Sequence, residues 1–493
     1  MKNMKKQVLF WLILAVSLVS CGGNMKQEIK MESEADLAGL RVGTIAGSCY
    51  DIDLSERNDI ELLRYNNVAD ALQSLINGNT DVLVDDETVF DTKFRQEYGI
   101  KVAHKGQVDF PTAFMFGKDH SDLAVALTNI QQRMIADGTM AELKDFWLTD
   151  KYVDVEKYTF TPFETNGEPI RVATAASTAP LSFLADGEWF GLEMDILREL
   201  SKELKRPLEI KLYDPAAAIL ALKTGMVDIA CGGIFITPER QEEFTFSASY
   251  HAFHNAYFVI DYAAKQQDEG NWKEFKKGIQ KNLISENRWK YITMGLWETL
   301  RISFFSILFG SILGIGLYAM TRSKQKWIRS LADLYGWFIA GIPELVLLLI
   351  LFYVVFAKSG LPASTIAVIA FAMCFASGAS RIYSTALDAI PKGQTEAGLA
   401  LGFTRIQTFM NIILPQAIRR GLPLYRGQCI SILKGTSIVG YIAIQDLTRA
   451  GDIIRSRTYD ALVPLVLVTI IYFLLVWAVG MLLSFTTFKK KVL

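Results

Sequence analysis

Hydrophobic positions fall into two regimes along the chain. Between residues 36 and 262 they form short runs set among amphipathic stretches; beyond residue 300 the runs are long and nearly uncharged. The segment DLAGLRVGTIAGSCYDIDL predicts a strand, a turn at Gly47-Ser48 and a helix start. NVADALQSLINGNTDVLVDDETVFDTKF predicts helix, strand, helix; FPTAFMFGKDH a strand; and DLAVALTNIQQRMIADGTMAELKDFWL a helical end. From residue 167, EPIRVATAASTAPLSFLADGEWFGLEMDILRELSKELKRPLEIKLYD predicts strand, loop, helix, strand, and AAAILALKTGMVDIACGGIFITPERQEEFTFSASY continues with helix, strand and loop. Strands alternating with helices point to α/β layers.

The long runs lie at 302–320, 335–357, 362–380, 421–447 and 461–485. Each is long enough to cross a hydrocarbon core of about 30 Å at 1.5 Å per residue. Three basic stretches flank them: TRSKQKWIRS, the loop 381–420 with Arg381, Lys392, Arg405, Arg419 and Arg420, and the tail FKKKVL. With the N-terminus outside, all three fall on the cytoplasmic side, and the C-terminus with them. The N-terminal MKNMKKQVLFWLILAVSLVSCGG has lysines, a short apolar core and Leu18-Val19-Ser20-Cys21. The core is too short for a span and fits a secretory signal over residues 1–20. It resembles a bacterial lipoprotein signal, which implies cleavage before Cys21 and lipidation of its sulfur. An uncleaved anchor helix is the alternative, and either one puts residue 25 onward outside a cytoplasmic (inner) membrane.

Composition narrows the function classes. The 493 residues are 51% hydrophobic with a mean hydropathy of +0.22, too apolar for an ordinary soluble protein. A net charge of −1 gives no bulk reason to expect nucleic acid. Five cysteines, without a CxxC, and four histidines suggest no disulfide framework, metal site or catalytic triad. No GxxxxGK[ST] phosphate loop occurs, so ATP hydrolysis is not expected of this chain, and no cofactor is expected.

Between the third and fourth runs stands TEAGLALGFTRIQTFMNIILPQAIRR, residues 395–420. Gly402 suits a helix end with positive φ, and Pro415 a new helix start, which predicts helix, turn, helix. KGQTEAGLALGFTRIQTFMNIILPQA resembles the Glu-Ala-Ala coupling loop of ABC-importer permeases of the polar amino acid branch. WKYITMGLWETLRISFFSILFGSILGIGLYAM resembles that branch's first span and SILKGTSIVGYIAIQDL its fourth, so the resemblance covers 289–487. It implies an all-α five-helix membrane domain, a separate ABC ATPase subunit that contacts Glu396, Ala397, Gly402, Leu414 and Pro415, and a permease homodimer. Gly398 stands where the motif has a second Ala, and Gly435 where an Asp is common. Glu344 and Lys434 interrupt apolar runs. The family has Lys at the second place, but an apolar residue is usual at the first. A buried membrane charge faces a partner or a watery path; here a Glu344–Lys434 pair or a solute path, and an interfacial or dimer-contact charge, fit equally.

The outer half resembles amino-acid-binding flytrap proteins. Residues 167–262 match the lobe-one core through Gly191, Asp195 and ITPERQEEFTFSASY; residues 36–150 match lobe two with its closing helices. The family runs in the opposite order, so the resemblance implies one circularly permuted two-lobed α/β flytrap, with 263–290 as the tether to the membrane domain. It implies that Arg240 forks onto the solute's carboxylate. The amides of Ser48 and Cys49 at a helix start would assist. Asp86 would take the ammonium, with a slip to the adjacent Asp85 open. Gly233, Phe235 and Thr178, with Pro215, fall on the ligand wall, and no Cys49–Cys231 disulfide is expected. Together these imply the solute-binding and membrane subunit of an ATP-driven importer for an amino acid or a close analogue. A ligand-gated channel, or a flytrap sensor, is the alternative.

Overall fold

The computed structural model describes residues 29–90, 92–149, 158–174, 180–185, 187–262 and 276–488. The chain divides into two compact units. One combines the residues up to Val108 with His254–Asp268; the other combines Asp109–Phe253 with Glu269–Leu493.

The first unit is built on a five-stranded sheet of β1 (Arg41–Ile45), β2 (Glu61–Tyr65), β3 (Val82–Asp86), β4 (Ile100–Thr112) and a later strand, β12 (His251–Ile260). Their order is β2-β1-β3-β12-β4. β1 runs parallel to β2 and β3, with Val42 opposite Leu62 and Val82; β12 runs antiparallel to β3, with Tyr257 opposite Val84. The Val68–Ile76 helix begins where the Asn67 side chain accepts the Asp70 amide, a cap that satisfies an otherwise orphaned donor. Its apolar positions Leu72 and Leu75 are fully buried, as are Val42, Val82 and Leu83.

The second unit carries a sheet of β5 (Met115–Phe116), β6 (Ile170–Thr174), β9 (Leu208–Leu212), β10 (Ile229–Cys231) and β11 (Thr245–Phe246), in the order β11-β5-β10-β6-β9. A hairpin, β7 (Phe183–Ala185) and β8 (Glu188–Phe190), flanks it. β10 and β9 are parallel to β6, and β5 is antiparallel to β10. The Thr139–Trp147 helix ends in the fully buried Trp147, whose Nε1 donates to Asp195 Oδ2 at 2.7 Å. Tyr158 donates to the same oxygen, and Arg198 to Oδ1 at 2.6 Å. Asp195 thus fastens the Thr139–Trp147 helix and Tyr158 to the Leu192–Leu204 helix.

Counted from β1 or from β6, both sheets have one order: second strand, first, third, an antiparallel strand, then the last. The antiparallel strand comes each time from the other chain segment: β12 in the first sheet, β5 in the second. The segment limits 36–150 and 167–262 therefore do not coincide with the units. Residues 109–149 belong to the second, and the end of β12 belongs to the first.

In the membrane half, Trp289–Thr321, Ala363–Asp388 and Leu462–Leu483 are long and apolar enough to cross a membrane. Two bent helix pairs are long and apolar enough together: Lys326–Gly341 with Glu344–Val355 at 106°, and Arg405–Ile442 with Leu447–Thr458 at 51°. Five runs were expected; three helices are long enough alone, and the number is five if each bent pair is one span. Pro343 caps the second half of the first pair, where proline cannot continue the preceding ladder. The first and third spans approach through glycines. A Cβ on Gly310 would lie 2.7 Å from that of Phe375, and one on Gly314 2.8 Å from that of Ala379. Small residues let membrane helices pack closely where lipid offers no hydrophobic drive.

Candidate functional site

In the first unit, β3 ends at Asp85-Asp86 and the Cys49–Ser55 helix starts beside it. Asp85 is buried; its Oδ1 accepts the Asp86 amide at 2.8 Å, and among the described residues its Oδ2 has no hydrogen-bond partner. Asp86 is half-buried and accepts both the amide and the hydroxyl of Thr88 at 2.6 Å. Burial pushes each carboxyl up to about 7. It also raises the Tyr50 hydroxyl, with the Asp86 and Cys49 charges adding to the effect. Cys49, Tyr50 and Asp86 therefore form one cluster. Ser48 is engaged within its own turn. Its amide closes the turn onto Ile45 O at 3.1 Å, and its hydroxyl caps the helix by accepting the Asp51 amide at 3.1 Å. Both groups are engaged within the turn, as an N-cap serine's are.

The raised Asp85 value has a stability consequence. The folded protein keeps this proton up to about pH 7, whereas the ordinary carboxyl value is 3.8. Between these values the folded state binds more protons than the unfolded one, so stability falls as pH rises through the window. Asp85→Asn cannot ionise. Thermal melts of the full chain should show the variant several degrees more stable at pH 8 and level with the parent at pH 4; equal melting temperatures at pH 8 would contradict the burial argument.

In the second unit, the loop after β10 and the Pro238–Glu243 helix that follows it carry Gly233, Phe235 and Arg240. Arg240 is half-buried. Its Nη1 donates to Phe235 O at 3.1 Å, and its amide donates to Thr237 Oγ1, the cap of the Pro238–Glu243 helix. The Gly233 amide, with that of Gly232, donates to Glu193 Oε1 at 3.0 Å. Glu193 is fully buried and also accepts the Tyr250 hydroxyl at 2.6 Å. Burial raises its carboxyl, while these donors pull it back down. Sequence reasoning missed this anchor of the loop; the trace was an acid inside the apolar GLEMDIL. Thr178 lies outside the described residues, as does Cys21. Pro215 opens the Pro215–Lys223 helix, whose cap residue Asp214 pairs with Arg449 of the membrane half at 2.9 Å.

That pair belongs to a broader seat. Ala218, Ala221 and Leu222 share one apolar cluster with Tyr353 and Ile442. The Arg457 guanidinium lies 4.2 Å over the Phe183 ring and pairs with Glu286, which also binds Arg288 at 2.8 Å. The 109–253 lobe thus sits on the Leu447–Thr458 helix. The signal in the sequence was TRAGDIIRSR, a charged stretch between two apolar runs.

The expected helix pair is present as Lys392–Ala400 and a second helix from Arg405, joined at Gly402 with φ +86°. The second helix does not restart at Pro415. It runs through a π turn, Phe409–Ile413, into Leu414–Gly435; the register slip absorbs the amide that proline lacks. Gly398 is explained by close approach, since a Cβ there would lie 2.5 Å from Thr408 Cγ2. Glu396, Ala397 and Pro415 are exposed and Leu414 half-buried. Leu401 and Ile406 are 76% and 77% exposed, and Met410 is exposed beside them. Such a patch marks a surface that meets something. Lys434 is exposed and Glu344 half-buried, and among the described residues no ion pair joins them.

Two α/β sheets of shared strand order and a set of long apolar helices define a membrane transport protein with its own solute-binding part. The description "Bacterial extracellular solute-binding proteins, family 3" matches residues 170–396. The probable amino-acid ABC transporter permease YckA of Bacillus subtilis (strain 168) is 34% identical over 191 residues, 38% of this chain and 82% of the relative. The L-cystine transport system permease TcyB of the same organism is 33% identical over 180 residues, 36% of this chain and 77% of the relative. A solved amino acid ABC transporter with histidines aligns at 30% identity and a TM-score of 0.38, covering 44% of this chain and 98% of that one. The chain belongs to the amino-acid ABC transporter permeases, with a solute-binding domain added.

Proposed function

We propose that this chain is the combined receptor and membrane subunit of an ATP-driven importer for an α-amino acid or a close analogue. The observation that carries the ATP-driven part is the Gly402 helix pair with its exposed apolar face, for which a ligand-gated channel has no use. A separate ABC ATPase subunit docks there, and two copies of this chain form the pore. The binding domain lies outside the cytoplasmic membrane, held by the spans and by a lipid on Cys21; the C-terminus is cytoplasmic. ATP-dependent uptake by proteoliposomes holding the chain and its ATPase tests the assignment, and uptake without ATP would overturn it.

The outer half is one permuted flytrap. The exchanged antiparallel strands support this, because neither segment completes a sheet alone. The family match beginning at Ile170, the first residue of β6, also fits an order that starts in the middle of the outer half. Calorimetry of the full chain in nanodiscs should therefore find one bound amino acid per chain. Two equivalent sites per chain would mean two binding domains.

A further inference from the structure

Two departures of the sequence, an acid at 344 and a glycine at 435, meet in space. Glu344 stands at the break of the second span, directly after Pro343. Gly435 ends the Leu414–Gly435 helix, where the fourth span turns into the tighter Thr436–Ile442 segment. A Cβ built on Gly435 would lie 2.9 Å from Glu344 Oε2 and 3.7 Å from Phe371 Cε1. The glutamate carboxylate thus occupies the space that a side chain at 435 would fill. Neighbouring Lys434 forms no ion pair with it, and among the described residues no other cation pairs with Glu344. An ionisable group inside a membrane domain is costly and faces a partner or a polar path. Juxtaposed breaks in two spans are where transporters place their solute sites, because only there is irregular backbone tolerated at depth.

We propose that Glu344 supplies from the second span the carboxylate that an acidic side chain at 435 would supply from the fourth, and that it receives the cationic group of the solute in transit. The inference rests on the transport reading. The group received is an ammonium, whether the α-ammonium common to all amino acids or that of a basic side chain. Glycine at 435 is then required by the swap, since two carboxylates in this space would repel each other.

The test is ATP-driven uptake in proteoliposomes containing the full chain and its ATPase. The probes are the standard L-amino acids and L-cystine, and every solute the parent imports is measured for each variant. Glu344→Gln should lower uptake at least about tenfold, the scale of losing one charge-assisted contact. Calorimetric affinity of the outer domain in the same chain should stay unchanged. Gly435→Asp alone should also be impaired. Glu344→Ala with Gly435→Asp should regain most of the uptake that Glu344→Ala loses, which a variant damaged only in folding would not. A loss in Glu344→Gln confined to lysine and arginine assigns the carboxylate to a basic side chain; an equal loss for neutral solutes assigns it to the α-ammonium. Parental uptake by Glu344→Gln, or no rescue by the double variant, overturns the inference. A parent that imports no tested amino acid overturns the transport reading and this inference with it.

Discussion

Gly402→Pro is expected to abolish solute-stimulated ATP hydrolysis while solute affinity stays within about twofold of the parent. Gly402 joins the two short helices at φ +86°, and its amide donates to Leu399 O at 3.0 Å. Proline is confined near φ −65° and has no amide hydrogen, so it cannot take the turn or make the bond. The Phe403 amide, which donates to Gly398 O at 3.1 Å, loses its geometry with it. The helix beginning at Arg405 must then leave in a new direction, and with it the exposed apolar side chains of Ile406 and Met410, which the proposed docking of an ATPase would use. Gly402→Ala keeps the amide and pays only the left-handed cost of about 1–2 kcal/mol, so its loss should be partial. ATPase assays in nanodiscs with and without solute give the comparison, and full stimulation in Gly402→Pro would remove the coupling role from this loop.

Much of this arrangement was legible in the sequence because it depends on local pattern. Val42, Val82 and Leu83 sit in short apolar runs that became strands, and Asn67 caps the helix that follows it. Partner choice between strands leaves no such trace. Nothing in HAFHNAYFVI says that β12 should close the sheet begun by β1, more than two hundred residues earlier, and so the segments read from the sequence do not coincide with the compact units. The breaks in the spans were equally faint. The 335–357 run is apolar but for Glu344, and only Gly341, Pro343 and that acid betray a 106° bend. At the candidate site, the pattern placed Ser48 at a helix start but could not tell that the turn itself would use its amide. Gly398 read as a departure from a motif until Thr408 supplied the reason. The seat of the 109–253 lobe on Arg449 and Arg457 needed a third dimension, since Asp214 is 235 positions from Arg449.

Arg240→Ala is expected to weaken solute binding by at least about a hundredfold without unfolding the domain. Arg240 lies in the Pro238–Glu243 helix, at the end of a loop fixed at both ends: Gly232 and Gly233 are anchored by Glu193, and Thr237 caps that helix. Its backbone position therefore does not depend on its side chain, so truncation should be tolerated structurally. The bond from Nη1 to Phe235 O orients the guanidinium plane, which a fork onto a carboxylate requires. Losing one partner of a desolvated charge pair typically costs about 2–5 kcal/mol. Arg240→Lys keeps the charge but not the planar fork, and should fall between parent and alanine. Asp86→Ala should be as damaging if Asp86 takes the ammonium. Asp85→Ala should cost less, because Asp85 is buried behind the Asp86 amide it accepts. Calorimetric titration of the full chain in nanodiscs, with the amino acid that most raises its melting temperature, gives each affinity. Parental affinity in Arg240→Ala would mean that no solute carboxylate is read at this loop, and the amino acid assignment would have to be withdrawn.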